Sequence, residues 1–294
     1  MGAQVAVIGT GTMGLQMIRR LLAGGHEVAS FDVAANAQAA AAALGARDAT
    51  DAAAAASGAE VCLLSLPGPE EVLQAVAGPY GVLNADLLPA VIADLSTIDQ
   101  ATSQEVAQRA SERGVAFIDA PVLGRPDRCG HWTLPVGGDH AAVELARPVL
   151  EVFAARLAHV GPNGSGVVVK LLNNLMFAAI NAITAECLAG AERLGLSPEV
   201  FVRTVADSGA ASVSNLFLDV GPRIVESDFT PAFTLALLRK DVDLATTMLV
   251  DAGADTPVSS VLRDLGDRAN KAGLAALDTS AMVELYRGVQ QKEA

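Results

Sequence analysis

"VAVIGTGTMG", residues 5–14, is the stretch that decides the fold. A run of Val, Ala and Ile ends at Gly9, Gly11 follows, and Gly14 opens a stretch of helical periodicity. Strand, glycine turn and helix in that order give each glycine a separate task. Gly9 makes the tight turn, Gly11 lets the backbone approach a pyrophosphate, and Gly14 lets the helix pack closely on the strand. Thr12 and Met13 complete the anion-facing helix start. The next strand run ends at Asp32. A carboxylate there can accept hydrogen bonds from the adenosine ribose hydroxyls and repels a 2′-phosphate. The following "VAANAQ" (33–38) offers no arginine to hold such a phosphate. NAD is therefore expected, with NADP the less favoured dinucleotide.

Around this stretch, "QVAVIG" (4–9), "EVASFD" (27–32), "VCLLSLP" (61–67), "VIADLST" (91–97) and "AFIDAPV" (116–122) read as strands. "TLPVGG" (133–138) and "RLAHVG" (156–161) add later ones. Helical periods at 12–24, 69–77, 99–113 and 140–154 alternate with them. Continuous apolar strands between helices mean βαβ units and a doubly wound, mainly parallel sheet covered on both faces. The alanine-rich run at 34–60 predicts two helices broken at "LGARDATD" (44–51). After "GPNGSG" (161–166) only helical periods recur, at 167–194, 197–208, 234–252 and 257–272. An α/β Rossmann domain over 1–162 and an all-α domain over 163–294 are expected.

Composition narrows the function classes. The 294 residues are 51% hydrophobic and 18% charged, a globular balance. A formal charge of −13 repels nucleic acid and anionic membrane, and no basic run offers a phosphate-tracking patch. Cys62, Cys129 and Cys187 are scattered, without a CxxC pair, which suits a reducing cytoplasm and forms no metal site. The opening "MGAQVAVIG" has no basic region ahead of a long apolar one, so a cytoplasmic location is expected. The four histidines, His26, His131, His140 and His159, show no metal-ligand spacing.

"VVVKLLNNLMFAAINAI" (167–183) reads like the middle of a buried helix, yet it carries Lys170, Asn173, Asn174 and Asn181. A buried lysine without a partner costs several kcal/mol. Asn174 lies one turn beyond Lys170, so both side chains leave the same helix face. Two explanations follow. The lysine and amides form a pocket wall, or Lys170 reaches solvent while the asparagines satisfy buried backbone.

At this point the sequence resembles a known family. "GPNGSGVVVKLLNNLM" is similar to the GxGxxxKxxN segment of the β-hydroxyacid dehydrogenases, the 3-hydroxyisobutyrate dehydrogenase family of the 6-phosphogluconate dehydrogenase superfamily. "VAVIGTGTMG" resembles its cofactor loop, "DLSTIDQATSQ" (94–104) its DxST segment and "FTLALLRKDVDLA" (233–245) its FxxxLxxKDLxLA segment. Four blocks in the family's order span essentially the whole chain. The resemblance implies a Rossmann domain joined by a long helix to a helical domain, with the active site in the cleft between. It implies a homodimer or homotetramer built largely through the helical domains. It also implies an oxidoreductase that interconverts a small β-hydroxy acid and its semialdehyde or oxo acid. Lys170 would be the acid/base and Asn174 a substrate-carboxylate ligand. Ser96 and Thr97 would lie by substrate and nicotinamide, Leu66 and Pro67 on the cofactor, and Lys240 would close over it. Asp241 would orient a neighbour.

The substrate loop departs from the family pattern. Where the family has "DAPVSGG", this chain has "DAPVLGRPDRCGHWTLPVGG" (119–138). Leu123 replaces the serine and Arg125 the second glycine, while Trp132 stands where glycine is usual. With Gly124 they make the substrate-side candidates, and Arg125 could hold an anion by two parallel hydrogen bonds. Sulfolactaldehyde reductases of the family also carry an arginine in this loop. Imine reductases share the architecture but usually carry Asp or Tyr in place of the lysine. A non-catalytic dinucleotide sensor would lack the lysine altogether.

Overall fold

The computed structural model describes residues 2–209 and 214–288. The chain divides into two compact units, the first ending at Lys170 and the second beginning at Leu171. The division falls inside a long helix, whose first turn and a half belongs with the sheet.

The first unit alternates strands and helices. It runs β1 (Gln4–Ile8), α1 (Thr12–Ala23), β2 (Glu27–Phe31), α2 (Ala35–Leu44), β3 (Arg47–Asp48), α3 (Ala52–Ala56) and β4 (Val61–Leu64). It continues through α4 (Pro69–Ala77), β5 (Val91–Asp94), α5 (Gln100–Glu112), β6 (Ala116–Asp119), β7 (Trp132–Gly138), α6 (His140–Leu150) and β8 (Ala154–Gly161). One eight-stranded sheet results, in the order β3-β2-β1-β4-β5-β6-β7-β8. Only the β6–β7 pair is antiparallel.

Both faces of the sheet are covered, which is why its strands are apolar throughout. Val5 and Val7 face one core with Met17, Ile18 and Leu21 of α1, while Ala6 and Ile8 face another with Ile92 and Val106. The alanine run forms α2 and α3 as the sequence predicts, with Asp51 capping α3 by accepting the Ala54 N–H at 2.7 Å. The break between them holds the short edge strand β3, which the sequence reading missed. Arg47 and Asp48 pair there with Ala29 and Ser30.

The long helix is α7 (Ser165–Arg193). The second unit follows with α8 (Pro198–Ser208), α9 (Asn215–Glu226), α10 (Leu235–Asp251), α11 (Pro257–Lys271) and α12 (Val283–Arg287). Its core joins Ala182, Ala185 and Leu188 of α7 to Val220, Ile224, Leu238 and Val242. The sequence reading passed over α9, because Gly221 and Pro222 lie inside it and look like breakers. Gly221 instead lets α9 approach α8, where Val202 side-chain carbons would touch its β-carbon at 3.1 Å.

The expectation of a buried α7 needs correction. Val169, Leu172, Met176 and Ile183 are exposed, and the helix's most apolar window is 39% buried. By length and composition α7 is long and apolar enough to cross a membrane.

Candidate active site

The parallel order sets the carboxyl ends of β2, β1, β4, β5 and β6 side by side. The turns leaving those ends hold, in the same order, Asp32, the Gly9–Gly14 turn, Leu66–Pro67, Ser96–Thr97 and the segment 121–125. At about 4.8 Å per strand the row is roughly 19 Å long, and such a row is where open α/β sheets bind dinucleotides.

The three glycines differ in what requires them. Gly9 has φ 90°, and a β-carbon on it would stand 2.2 Å from the Ser65 carbonyl oxygen. One on Gly14 would stand 2.1 Å from the Gly9 carbonyl oxygen. Gly11 has φ −66°, and nothing lies within 4 Å of where its β-carbon would be. Its bare face looks into open space, and no side chain caps the first turn of α1. Uncapped N–H groups beside an open glycine fit an approaching pyrophosphate.

Asp32 is fixed beside this turn. Its Oδ2 accepts the Thr10 N–H at 2.7 Å and its Oδ1 the Ala34 N–H at 2.8 Å. A carboxylate has about four acceptor positions, so capacity for ribose hydroxyls remains. Further along the row, the Leu66 N–H donates to Ser96 Oγ at 2.9 Å, and the Ser96 N–H to Asp94 Oδ1 at 2.9 Å. Buried Ser96 thereby brackets the ends of β4 and β5 together, and its hydroxyl proton is still a donor.

At the far end, Lys170 Nζ donates to the Val122 carbonyl oxygen at 2.8 Å. Lys170 is half-buried, held against the segment that contains Leu123, Gly124 and Arg125. That fits a pocket wall better than a lysine escaping to solvent. Asn181 takes the other part, donating to the Thr279 carbonyl oxygen at 2.5 Å from a buried position.

Asp119, which the sequence reading left without a role, fixes the start of α7. It is fully buried, and its Oδ1 accepts the Gly164 N–H at 2.7 Å while its Oδ2 accepts the Val167 N–H at 3.0 Å. A β-carbon on Gly137 would stand 2.5 Å from this carboxylate. Burial pushes the Asp119 carboxyl above its ordinary range, against the backbone N–H groups that draw it down. Residues 119–122 therefore grip the lysine helix twice, by a carboxylate at its first turn and by a carbonyl at its ammonium. The signal in the sequence was an acid closing an apolar strand, as Asp94 does for β5 and Asp32 nearly does for β2.

The departing loop is closed at its base by an antiparallel pair of Leu123 and Thr133. Trp132 is 0% exposed, so it is a packing residue and not a substrate wall.

The second unit holds its own group. Asn174 Nδ2 donates to Asp241 Oδ2 at 2.6 Å, and Lys240 Nζ lies 3.0 Å from Asp241 Oδ1. A carboxylate can only accept, so Asp241 determines which end of the Asn174 amide is nitrogen. Asn173 Nδ2 donates to Asn174 Oδ1 at 3.2 Å. The candidates thus form two sets, one along the strand ends with Lys170 and one of Asn174, Lys240 and Asp241.

Residues 4–161 match the family described as the NAD-binding domain of 6-phosphogluconate dehydrogenase. Residues 164–286 match the family described as the NAD-binding domain of NADP-dependent 3-hydroxyisobutyrate dehydrogenase. The chain is 33% identical over 293 residues to 3-hydroxyisobutyrate dehydrogenase of Pseudomonas aeruginosa, covering 97% of this chain and 98% of that protein. It is 32% identical over 289 residues to 3-sulfolactaldehyde reductase of Escherichia coli, covering 97% and 96%. Among solved structures, 3-hydroxyisobutyrate dehydrogenase of Mycobacterium tuberculosis with L-serine superposes at a TM-score of 0.87 and 32% identity, covering 98% of this chain and 100% of that one.

Proposed function

The chain belongs to the β-hydroxyacid dehydrogenase family, and we propose that within it Lys170 serves as the acid/base and NAD as the dinucleotide. The family's enzymes are NAD(P)-dependent oxidoreductases, and the substrate assigned to this one is a small anionic β-hydroxy acid or its semialdehyde. The observation that carries the assignment is the Lys170 ammonium, held 2.8 Å from the Val122 carbonyl oxygen at one end of the row of strand ends.

A nicotinamide dinucleotide held by the glycine turn and Asp32 would supply or accept the hydride. The chain's own part is the proton. When a carbonyl is reduced, the developing alkoxide takes a proton from the Lys170 ammonium; in oxidation the amine removes it. The Val122 carbonyl keeps Nζ from wandering, and Asp119 keeps the helix beneath it in place. Asn174, its amide oriented by Asp241, is the ligand assigned to the substrate carboxylate. Ser96 and Thr97 are assigned to substrate and nicotinamide, and Leu66, Pro67 and Lys240 to the cofactor. NAD is preferred because Asp32, beside the glycine turn, repels a 2′-phosphate.

Arg125 favours one variant of this reading. With Leu123 in place of a hydroxyl, a guanidinium becomes the stronger anion ligand of the loop, and it suits a sulfonate as well as a carboxylate. Lys170 speaks against both imine reduction and a sensor without catalysis.

A homo-oligomer is the partner assigned to the helical unit. Leu172, Met176 and Ile183 form an exposed apolar stripe at spacings of four and seven along α7, which a second copy would cover. Ile183→Glu should lower the mass found by sedimentation; an unchanged mass would sink that assignment. A charge of −13 keeps the protein off nucleic acid and anionic membrane, and three free cysteines suit the cytoplasm.

The test follows nicotinamide absorbance with 3-hydroxyisobutyrate, glycerate, serine, 4-hydroxybutyrate and sulfopropanediol, each with NAD and NADP. Succinic, tartronic and methylmalonic semialdehydes test the reverse direction. Lys170→Ala should lose about 10²–10⁴-fold in kcat while still binding NAD. Turnover that survives the substitution would remove Lys170 from the chemistry.

A further inference from the structure

Trp132 lies directly beneath the loop that sets this chain apart. Its Nε1–H donates to the Arg125 carbonyl oxygen at 2.7 Å. A β-carbon on Gly124 would stand 2.3 Å from Trp132 Cδ1, so the indole rests on the bare Cα of that glycine. Phe153 meets the ring edge-on from elsewhere in the core, with centroids 6.0 Å apart and planes at 68°. The far side of the loop is pinned as well. Arg20 Nη2 of α1 donates to the Cys129 carbonyl oxygen at 2.8 Å, and Gly130, at φ 100°, lies under the same guanidinium.

We propose that Trp132 is a positioning residue that sets the acid-group preference of the site through Arg125. This deepens the assignment of Arg125 as a substrate ligand and rests on it. Trp132, fully buried, touches no substrate; it fixes the backbone from which the Arg125 side chain springs. A guanidinium is a planar fork that pairs with two oxygens of a carboxylate or of a sulfonate, and with its root fixed it favours the acid whose remaining atoms fit beside the loop. A wandering fork accommodates both. The discrimination thus comes from a hydrogen bond on the side of the loop away from the ligand.

The chain has one tryptophan, so its emission reports on this brace alone. The experiment uses the full-length protein with saturating NAD and two acids, 3-hydroxyisobutyrate and 2,3-dihydroxypropanesulfonate. Emission and steady-state kinetics are followed for the unaltered protein, Trp132→Phe and Arg125→Gln. Trp132→Phe keeps an aromatic ring and removes the N–H. It should raise KM for the better acid by about 2–10-fold, the worth of one hydrogen bond, and compress the ratio between the two acids. Its kcat and its KM for NAD should hold. In the unaltered protein the emission should shift saturably with acid, and Arg125→Gln should abolish the shift. An equal loss for both acids, or a lowered melting temperature with an unchanged KM ratio, would reduce Trp132 to packing and overturn the proposal. Failure of both acids to turn over would count against the reaction assigned above. An Arg125-dependent emission shift would still uphold the brace in that case, and no shift at all would overturn it.

Discussion

Two loops leave the sheet of the first unit, and opposite means shape them. The turn from Gly9 to Gly14 owes its form to side chains that are missing: β-carbons at either end would meet carbonyl oxygens at 2.1–2.2 Å. The loop from Leu123 to Thr133 owes its form to side chains that are present. Trp132 supports it from below and Arg20 holds its far side, across 109 residues of sequence. A shape made by absence is local and can be coded in spacing. A shape made by presence depends on partners brought from a distance. The first suits a ligand common to many enzymes, while the second can differ from one relative to the next.

Three substitutions probe this contrast. Gly14→Ala should have the largest effect, because its methyl group meets backbone and not a flexible side chain. About 3 kcal/mol of stability should go, and NAD affinity with it, as read by thermal melts and titration. Survival of both would show that the turn has more slack than its contacts allow. Asp119→Asn should cost about 2 kcal/mol, since an amide cannot accept with both ends from the first turn of α7.

That second variant also carries a pH signature. Burial raises the Asp119 carboxyl in the folded chain, so the folded state holds this proton more tightly than the unfolded one. The contribution is present below the unfolded carboxylate pKa, about 3.9, and is lost as pH rises through the raised value. The stability gap between unaltered protein and Asp119→Asn should therefore narrow as pH climbs through the carboxylate range. A gap that widens would show the backbone N–H groups outweighing burial. Gly11→Ala should have the smallest effect on folding, within about 0.5 kcal/mol, because its methyl group enters open space. It should nonetheless raise KM for NAD. Were stability to fall instead, Gly11 would belong with Gly9 and Gly14 as a glycine of the fold.

Legibility in the sequence followed the same division. The glycine turn, Asp32 and the parallel strands are local patterns with fixed periods, and each could be read from a few neighbouring residues. β3 escaped because two residues have no period, and α9 because Gly221 and Pro222 mask one. Asp119 escaped for another reason. Its strand was legible, but its partners Gly164 and Val167 lie 45 and 48 residues downstream, where only folding brings them. Lys170 could be seen as anomalous from its apolar neighbours. What holds it, the Val122 carbonyl, leaves no mark on either residue's type. The exposed side of α7 was hidden too, since an apolar stripe reads the same whether its own chain or nothing covers it.

The seat of Trp132 on Gly124 also constrains how this loop can change over generations. No residue with a side chain fits at 124 while the indole stands 2.3 Å from where its first carbon would go. Shrinking the tryptophan must come first, and that step alone strands the Arg125 carbonyl. Alteration at these two positions is therefore open in one order and closed in the other. The pair is thus left only through a weakened intermediate.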